Sequence, residues 1–324
     1  MKLGIFLLTE NYSGSANTTI LNDIELGVYA EKLGFDEVWF AEHHFNSFSV
    51  IPNPTLMMAT LAARTERIRI GSAAFLAPFY QSVRLAEEIA TLDNLSHGRI
   101  DAGFAKGGFT YDIELFEKSP QNLREDMFKA VKKIDRTLSA NKLLEPKPLQ
   151  VKVPFYIATF STKETIEYAA NHGYGLMFSQ GATIKQCTDA QEIYKSIAGC
   201  EPKIVLMRVF CLDDDYESAY NKALPETDHF IKSMRSVKSK KPQPDFNKAN
   251  YDALLKQRFS FFDGKTFLDN AILGDDKECI KQIQEIKNKI KNLHLVLKPA
   301  SSDAMQTRGM LKRFSQEIKP KIKG

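Results

Sequence analysis

Residues 39–54 read WFAEHHFNSFSVIPNP, in which a carboxylate precedes two adjacent imidazoles: Glu42, His43 and His44. Imidazole titrates near neutral pH without any perturbation, so the triplet suits general acid–base chemistry. Two other readings fit the same residues. A metal site needs a third and a fourth ligand, and His97, His172, His229 and His294 show no matching spacing, so no metal is expected. A polar strand end, with one ring bonded to a loop and the other in solvent, fits as well.

Which reading holds depends on the elements that carry the triplet. Eight apolar runs of strand length alternate with segments of helical period: KLGIFLL (2–8), EVWFA (37–41), RIRIGSAAF (67–75), RIDAGFA (99–105), VPFYIATF (153–160), GLMFS (175–179), PKIVLMRVFCL (202–212) and NLHLVLKP (292–299). Between the first two, Ile20, Ile24, Val28 and Leu33 fall near one helical face and Gly34 supplies a stop. Repeated β-α units with near-continuously apolar strands demand a parallel sheet covered by helices. Eight of them in 324 residues favour a single α/β domain, residues 1–324, built as a closed (β/α)8 TIM barrel rather than an open doubly wound sheet. Glu42, His43 and His44 follow the second strand and so are expected at the C-terminal mouth, where barrels build active sites.

Residues 233–264 break the alternation after strand 7. The first half of this insertion holds Lys238, Lys240, Lys241, Pro242 and Pro244 with hardly an apolar residue, a composition that cannot order itself. A solvated linker and a lid both fit that composition; its place after strand 7, at the same mouth, favours a lid over the active site.

Composition excludes several classes. With 44 Lys and Arg against 40 Asp and Glu, the net charge of +4 is too mild to argue for nucleic acid. Cys187, Cys200, Cys211 and Cys279 show no C-x-x-C spacing, which argues against zinc or a disulfide framework and for a reducing cytoplasm. The apolar start MKLGIFLL ends at Thr9 and Glu10 and reads as the first strand rather than a signal peptide. No run approaches the roughly 20 apolar residues of a membrane helix.

The stretches MKLGIFLLTE, GFDEVWFAEHHF, IGSAAFLAP, VRLAEEIATLDNLSHGR, PFYIATFS, EYAANHG, DFNKANYDALLKQ and CIKQI, in this order, resemble the luciferase-like flavin monooxygenases, and within them the catalytic α subunit of bacterial luciferase. The resemblance runs nearly end to end. It implies the same barrel, and reduced FMN as co-substrate, or the deazaflavin F420 in a sister branch. It makes His43 the base beside the flavin, a histidine that the non-catalytic luciferase β subunit lacks. It also implies a non-prolyl cis peptide between Ala73 and Ala74 under the isoalloxazine ring, and places Lys106, Arg124, Ser161 and Thr165 at or beside the phosphate positions. Lys106 departs from the family's arginine and offers a point charge in place of a planar fork. Ala105 stands where the luciferase α subunit has a reactive cysteine, and Phe109 near its tyrosine. STKET, residues 161–165, reads independently as a helix start, which attracts anions and which Ser161 could cap.

The activity the resemblance implies is oxygenation of an aldehyde or similar small apolar substrate, with O2 adding at the flavin C4a carbon. His43 would move the proton while Glu42 or a neighbouring polar group orients its ring. Candidate pocket lining is Phe6, Trp39, Phe45, Phe48, Phe75 and Phe109. Nothing matches an arginine-rich sulfonate grip. No G-x-G-x-x-G follows a strand, so a separate flavin reductase is expected to deliver the reduced cofactor. An F420-dependent or FMN-dependent oxidoreductase without oxygenation, and a non-catalytic flavin-binding subunit, are the alternatives. The family's helical interface implies a homodimer, or a heterodimer with a related subunit, using Leu56, Met57, Leu61, Leu85 and Ile89, residues that packing on the barrel would also claim.

Overall fold

A computed structural model of the chain describes residues 1–236 and 264–322. The expected lid, with its lysines and DFNK, lies almost wholly in 237–263, outside the described residues. Among the described residues nine strands pair in parallel: Lys2–Leu7 (β1), Glu37–Phe40 (β2), Arg69–Leu76 (β3), Ile100–Ala105 (β4), Phe155–Ala158 (β5), Gly175–Phe178 (β6), Ile204–Leu212 (β7), Ile272–Gly274 (β8) and Leu293–Pro299 (β9). Pairing of β6 with β7 closes β1–β7 and β9 into a ring of eight, the (β/α)8 barrel expected. The helices of the described residues are Ala16–Lys32 (α1), Pro54–Ala62 (α2), Ser82–Leu95 (α3), Thr110–Leu115 (α4), Leu123–Ala140 (α5), Lys163–His172 (α6), Ile184–Ala198 (α7), Tyr216–Ser236 (α8), Gly264–Asp269 (α9), Asp276–Lys289 (α10), Ala304–Arg313 (α11) and, after a π turn over Phe314–Ile318, Lys319–Ile322 (α12), with a short 3-10 turn at Ala77–Phe79. Among the described residues no helix is long and apolar enough to cross a membrane.

Strand β8 lies outside the ring and was not among the eight expected. Strand β6 ends at Phe178, opposite Leu206, whereas β7 runs on to Leu212. That uncovered edge would expose unpaired backbone groups, and β8 covers it through Phe210–Ile272, Cys211–Leu273 and Leu212–Gly274.

Register aligns Phe6 with Trp39, Trp39 with Gly71, and Gly71 with Asp101, and further round Gly103 with Tyr156 and Tyr156 with Gly175. Side chains alternate along a strand, so these positions share one face. The Trp39 and Tyr156 rings meet edge to face at 5.4 Å, which identifies that face as the lumen. Trp39 Nε1 donates to Glu37 Oε2 at 3.0 Å, and Glu37 Oε1 pairs with His294 Nδ1 at 2.8 Å and Lys2 Nζ at 3.1 Å. Burial pushes the Glu37 carboxyl up, but His294 and Lys2 more than offset it and hold it below the usual carboxylate range. With Arg69 Nε 2.6 Å from Asp101 Oδ2, these groups plug the N-terminal half of the lumen.

Two residues beyond Gly103 and Tyr156, the same face carries Ala105 and Ala158. Methyl groups there leave space above the plug.

Met57, Leu61, Leu85 and Ile89 are buried on the barrel in the single chain, and of the five residues offered for a subunit interface only Leu56 is exposed. The four belong to the core because α2 and α3 turn these residues toward the sheet.

Gly71 tests the plug. A Cβ there would run into the Trp39 ring, which is fully buried and tethered to Glu37. Gly71→Ala is expected to cost about 1–3 kcal/mol as an overpacking substitution, read from urea unfolding. An unchanged midpoint would contradict this packing.

Candidate active site

Past the end of β2 the chain bends, and Glu42 is buried at 3% exposure. Its Oε1 accepts from His44 Nε2 at 2.7 Å, and its Oε2 accepts from the Tyr80 hydroxyl at 2.7 Å and the Leu76 amide at 3.3 Å. Burial raises the Glu42 pKa, with His44 and Tyr80 opposing that shift. The His44 ring rests edge-on against Phe116, centroids 4.8 Å apart, and against Phe79 at 6.1 Å. His44 is therefore committed to a carboxylate inside an aromatic box.

His43 points elsewhere. Its Nδ1 lies 2.6 Å from Ser49 Oγ, and the Ser49 hydroxyl donates to the Leu8 carbonyl. A hydroxyl whose only proton is committed to a carbonyl can act toward the ring only as an acceptor, so Nδ1 carries the hydrogen and Nε2 the lone pair. Burial, and then the neighbouring His44 charge, push the His43 pKa down to about 4. The ring is neutral at physiological pH, a base with its free nitrogen fixed.

Local chemistry holds Ser49 in place. Asn46 Oδ1 accepts from the Phe48 amide at 2.8 Å and the Ser49 amide at 2.9 Å, closing a side-chain turn. Asn11 N to Phe48 O at 2.7 Å and Val50 N to Thr9 O at 3.1 Å tie the segment to the exit of β1. The orienting partner of His43 is thus the neighbouring polar group Ser49, while Glu42 orients His44. Neither Ser49 nor Tyr80 has a spacing in the sequence that pairs it with the triplet. Asp112, in the first turn of α4, also escaped the sequence: it is fully buried, both carboxyl oxygens lack partners among the described residues, and burial pushes it up to about 6.

Of the expected lining, the Phe109 ring lies 6.1 Å from His43 and Phe6 faces the lumen. Trp39 belongs to the plug. Phe75 is fully buried against Phe104 and Tyr80, Phe48 packs on Tyr12, and Phe45 is 59% exposed. Trp39 and Phe75 are corrections to the sequence reading.

The remaining expected residues gather on the next loops round the rim. Ala73 and Ala74 are joined by a cis peptide. Half-buried Lys106 leaves β4 directly after Ala105. Arg124, in the first turn of α5, reaches Glu164 of α6 at 3.5 Å, and its buried Nε has no partner among the described residues. Helix α6 begins after Thr162, which makes no side-chain cap, and buried Thr165 lies in its first turn. Ser161 is not that cap: its Oγ donates to Gln186 O at 3.3 Å. An uncapped helix start beside a guanidinium is a place for an anion. Among the described residues no three His, Cys, Asp or Glu side chains converge to hold a metal ion.

Nitrogen-15 spectra of the His43 ring are expected to report a protonated Nδ1 and a bare Nε2 at pH 7, with no protonation until near pH 4. Between about pH 6.5 and 4 the unfolded chain takes up a proton that the folded ring refuses, so stability from this site falls as pH drops. Ser49→Ala removes the acceptor and is expected to mix the tautomers. A His43 that titrates near 6.5, or a tautomer indifferent to Ser49, would contradict the arrangement.

Comparison with known proteins follows the same lines. The alkanal monooxygenase alpha chain of Photorhabdus luminescens is 30% identical over 213 residues, covering 61% of this chain and 59% of that relative. The oxygenase component of a flavin-dependent trigonelline monooxygenase from Acinetobacter baylyi is 28% identical over 253 residues, 68% of this chain and 67% of that one. A monooxygenase from Streptomyces bottropensis has the same fold, with a TM-score of 0.83 at 23% identity over 99% of both chains. The sequence profile of the luciferase-like monooxygenases matches residues 1–290, and the chain belongs to that family.

Proposed function

We propose that this chain is the oxygenase of a two-component system, which uses reduced FMN and O2 to oxygenate an aldehyde or similar small apolar substrate. The observation that carries the reading is the His43–Ser49–Leu8 chain, which leaves one imidazole neutral with Nε2 free beside the apolar ring of Phe109. A non-catalytic subunit has no use for that arrangement.

The residues present fit a flavin phosphate. The unpartnered Arg124 Nε, the uncapped start of α6, Ser161 and Thr165 would hold it, with Lys106 adding charge, and the Ala73–Ala74 peptide would support the ring. Reduced FMN, when bound, supplies the electrons that activate O2. His43 Nε2 holds or returns the proton at the reacting centre, Phe6 and Phe109 exclude water, and the Glu42–His44 pair keeps the loop rigid beneath them. The FMN would come from a separate reductase, since the trigonelline relative is one component, the oxygenase, of its monooxygenase. The catalytic unit is a single domain, working in the cytoplasm as a homodimer or with a related subunit.

Oxygen uptake with photoreduced FMN, with and without a long-chain aldehyde, tests the reading. His43→Ala is expected to retain FMN but lose about 10² or more in turnover, the scale of a lost general base, and His44→Ala to lose less. Arg124→Ala is expected to weaken FMN binding about tenfold, the usual scale of a lost charged hydrogen bond. Peroxide release without oxygenated product would indicate a flavin-binding subunit, and oxidation of reduced F420 in the absence of O2 a hydride-transfer enzyme.

A further inference from the structure

The loop that joins α5 to β5, residues 141–154, turns three apolar side chains into water: Leu143 at 89% exposure, Leu149 at 58%, and Val151 fully. A lone exposed aliphatic residue needs no explanation, but three on one loop do. The loop is not free to fold them away. Gln150 faces inward, where its backbone amide donates to Asp93 Oδ2 at 2.8 Å and its Nε2 to Asp93 Oδ1 at 2.7 Å and to the Ile100 carbonyl at 2.8 Å. Asn94 Nδ2 donates to the Lys147 carbonyl at 2.7 Å, and Leu144 is buried on the core side. These anchors hold Leu149 and Val151, on either side of Gln150, away from the barrel.

The charge around them is mostly of one sign. Lys142, Lys147 and Lys152 stand on the same loop against Glu145, and the end of α5 exposes Lys132, Lys133 and Arg136. Residues 132–152 thus carry six cations against two carboxylates, Asp135 and Glu145, an excess equal to the net charge of +4 on the whole chain. Lys147 Nζ donates to the Asn141 carbonyl at 2.8 Å, and Lys152 Nζ lies 5.5 Å from the centre of the Tyr174 ring, so both ammonium groups rest on neutral partners.

That mixture decides what covers the surface. Lysine is depleted at protein–protein interfaces, and an isologous contact with a second copy would set these lysines against one another. Nucleic acid would use the cations and leave the aliphatic side chains in water. Separate apolar tips among lysines suit a fluid anionic surface, which demands no matching shape: the tips enter the head-group boundary while the ammonium groups meet lipid phosphates. We propose that the 141–152 loop docks the protein peripherally on an anionic lipid bilayer. The loop lies at the N-terminal end of the barrel, opposite the mouth, so a docked molecule keeps the candidate active site open to solution. Docking needs neither flavin nor substrate.

The test is co-sedimentation of the full chain, without flavin, with vesicles of mixed phosphatidylglycerol and phosphatidylcholine or of phosphatidylcholine alone. Binding is expected to the anionic vesicles only, and to weaken as salt is raised. Replacing Lys142, Lys147 and Lys152 by glutamine is expected to weaken it by about fivefold per lysine, the scale of one charge at an anionic surface. Leu143→Ser combined with Val151→Ser leaves the charge unchanged and is expected to weaken it by about tenfold or more. All five positions are exposed, so the thermal midpoint and the solution mass are expected to stay those of the wild type. Equal binding to both kinds of vesicle, or to neither, overturns the proposal. So does full binding by the serine variant, which would reduce the effect to unspecific attraction of charge, and so does a fall in its solution mass, which would make the patch a contact between copies of this chain.

Discussion

Ring closure is the constraint on which everything else in this protein rests. Strands that run parallel around a closed ring send every C-terminal exit to one rim, so residues from β1, β2 and β9, remote in sequence, become neighbours. The ring closes only if its lumen is filled, and the filling is asymmetric. Trp39 and Tyr156 occupy the lower half because Gly71 and Gly175 make room for their rings, and Glu37, His294, Lys2, Arg69 and Asp101 neutralise one another around them. Higher up, alanines replace the large rings. The depth of the plug thus sets the floor of the site.

The two adjacent histidines show how little residue type alone decides. Both follow the same strand, yet His44 donates to a buried carboxylate and His43 to a serine hydroxyl already bonded to a carbonyl. The first arrangement builds a bracket: through Glu42 it joins the exit of β2 to Leu76 and Tyr80 after β3. In the second, burial without a counter-ion keeps the ring neutral, and the Ser49 acceptor fixes its tautomer. A structural and a chemically available imidazole thus stand side by side, separated by the nature of one hydrogen-bond partner each.

Much of this was legible in the sequence. Strand-length apolar runs in eightfold alternation with helical periods favour the barrel, because parallel strands buried on both faces need a cover of helices and eight such units suffice to close a ring. From that it follows that Glu42, His43 and His44 sit at the mouth, and the resemblance added the Ala73–Ala74 cis peptide that the structure contains. Strand β8 was not legible, since three residues carry no periodic signal and its role arises only from the mismatch in length between β6 and β7. The interface patch stayed open for a related reason: an apolar helical stripe does not say which neighbour it packs on, and the barrel takes Met57, Leu61, Leu85 and Ile89.

By itself the sequence determined the repeat, the class of fold, and which loops meet at the rim, because these depend on local periodicity and on the order of units along the chain. Only the tertiary structure decided which polar atoms pair. Ser49 meets His43 and the Leu8 carbonyl 41 residues away, and Tyr80 meets Glu42 across 38 residues. Hydrogen bonds act over about 3 Å and depend on angle, so no spacing along the chain encodes them. They exist only once closure has brought the strand exits into register.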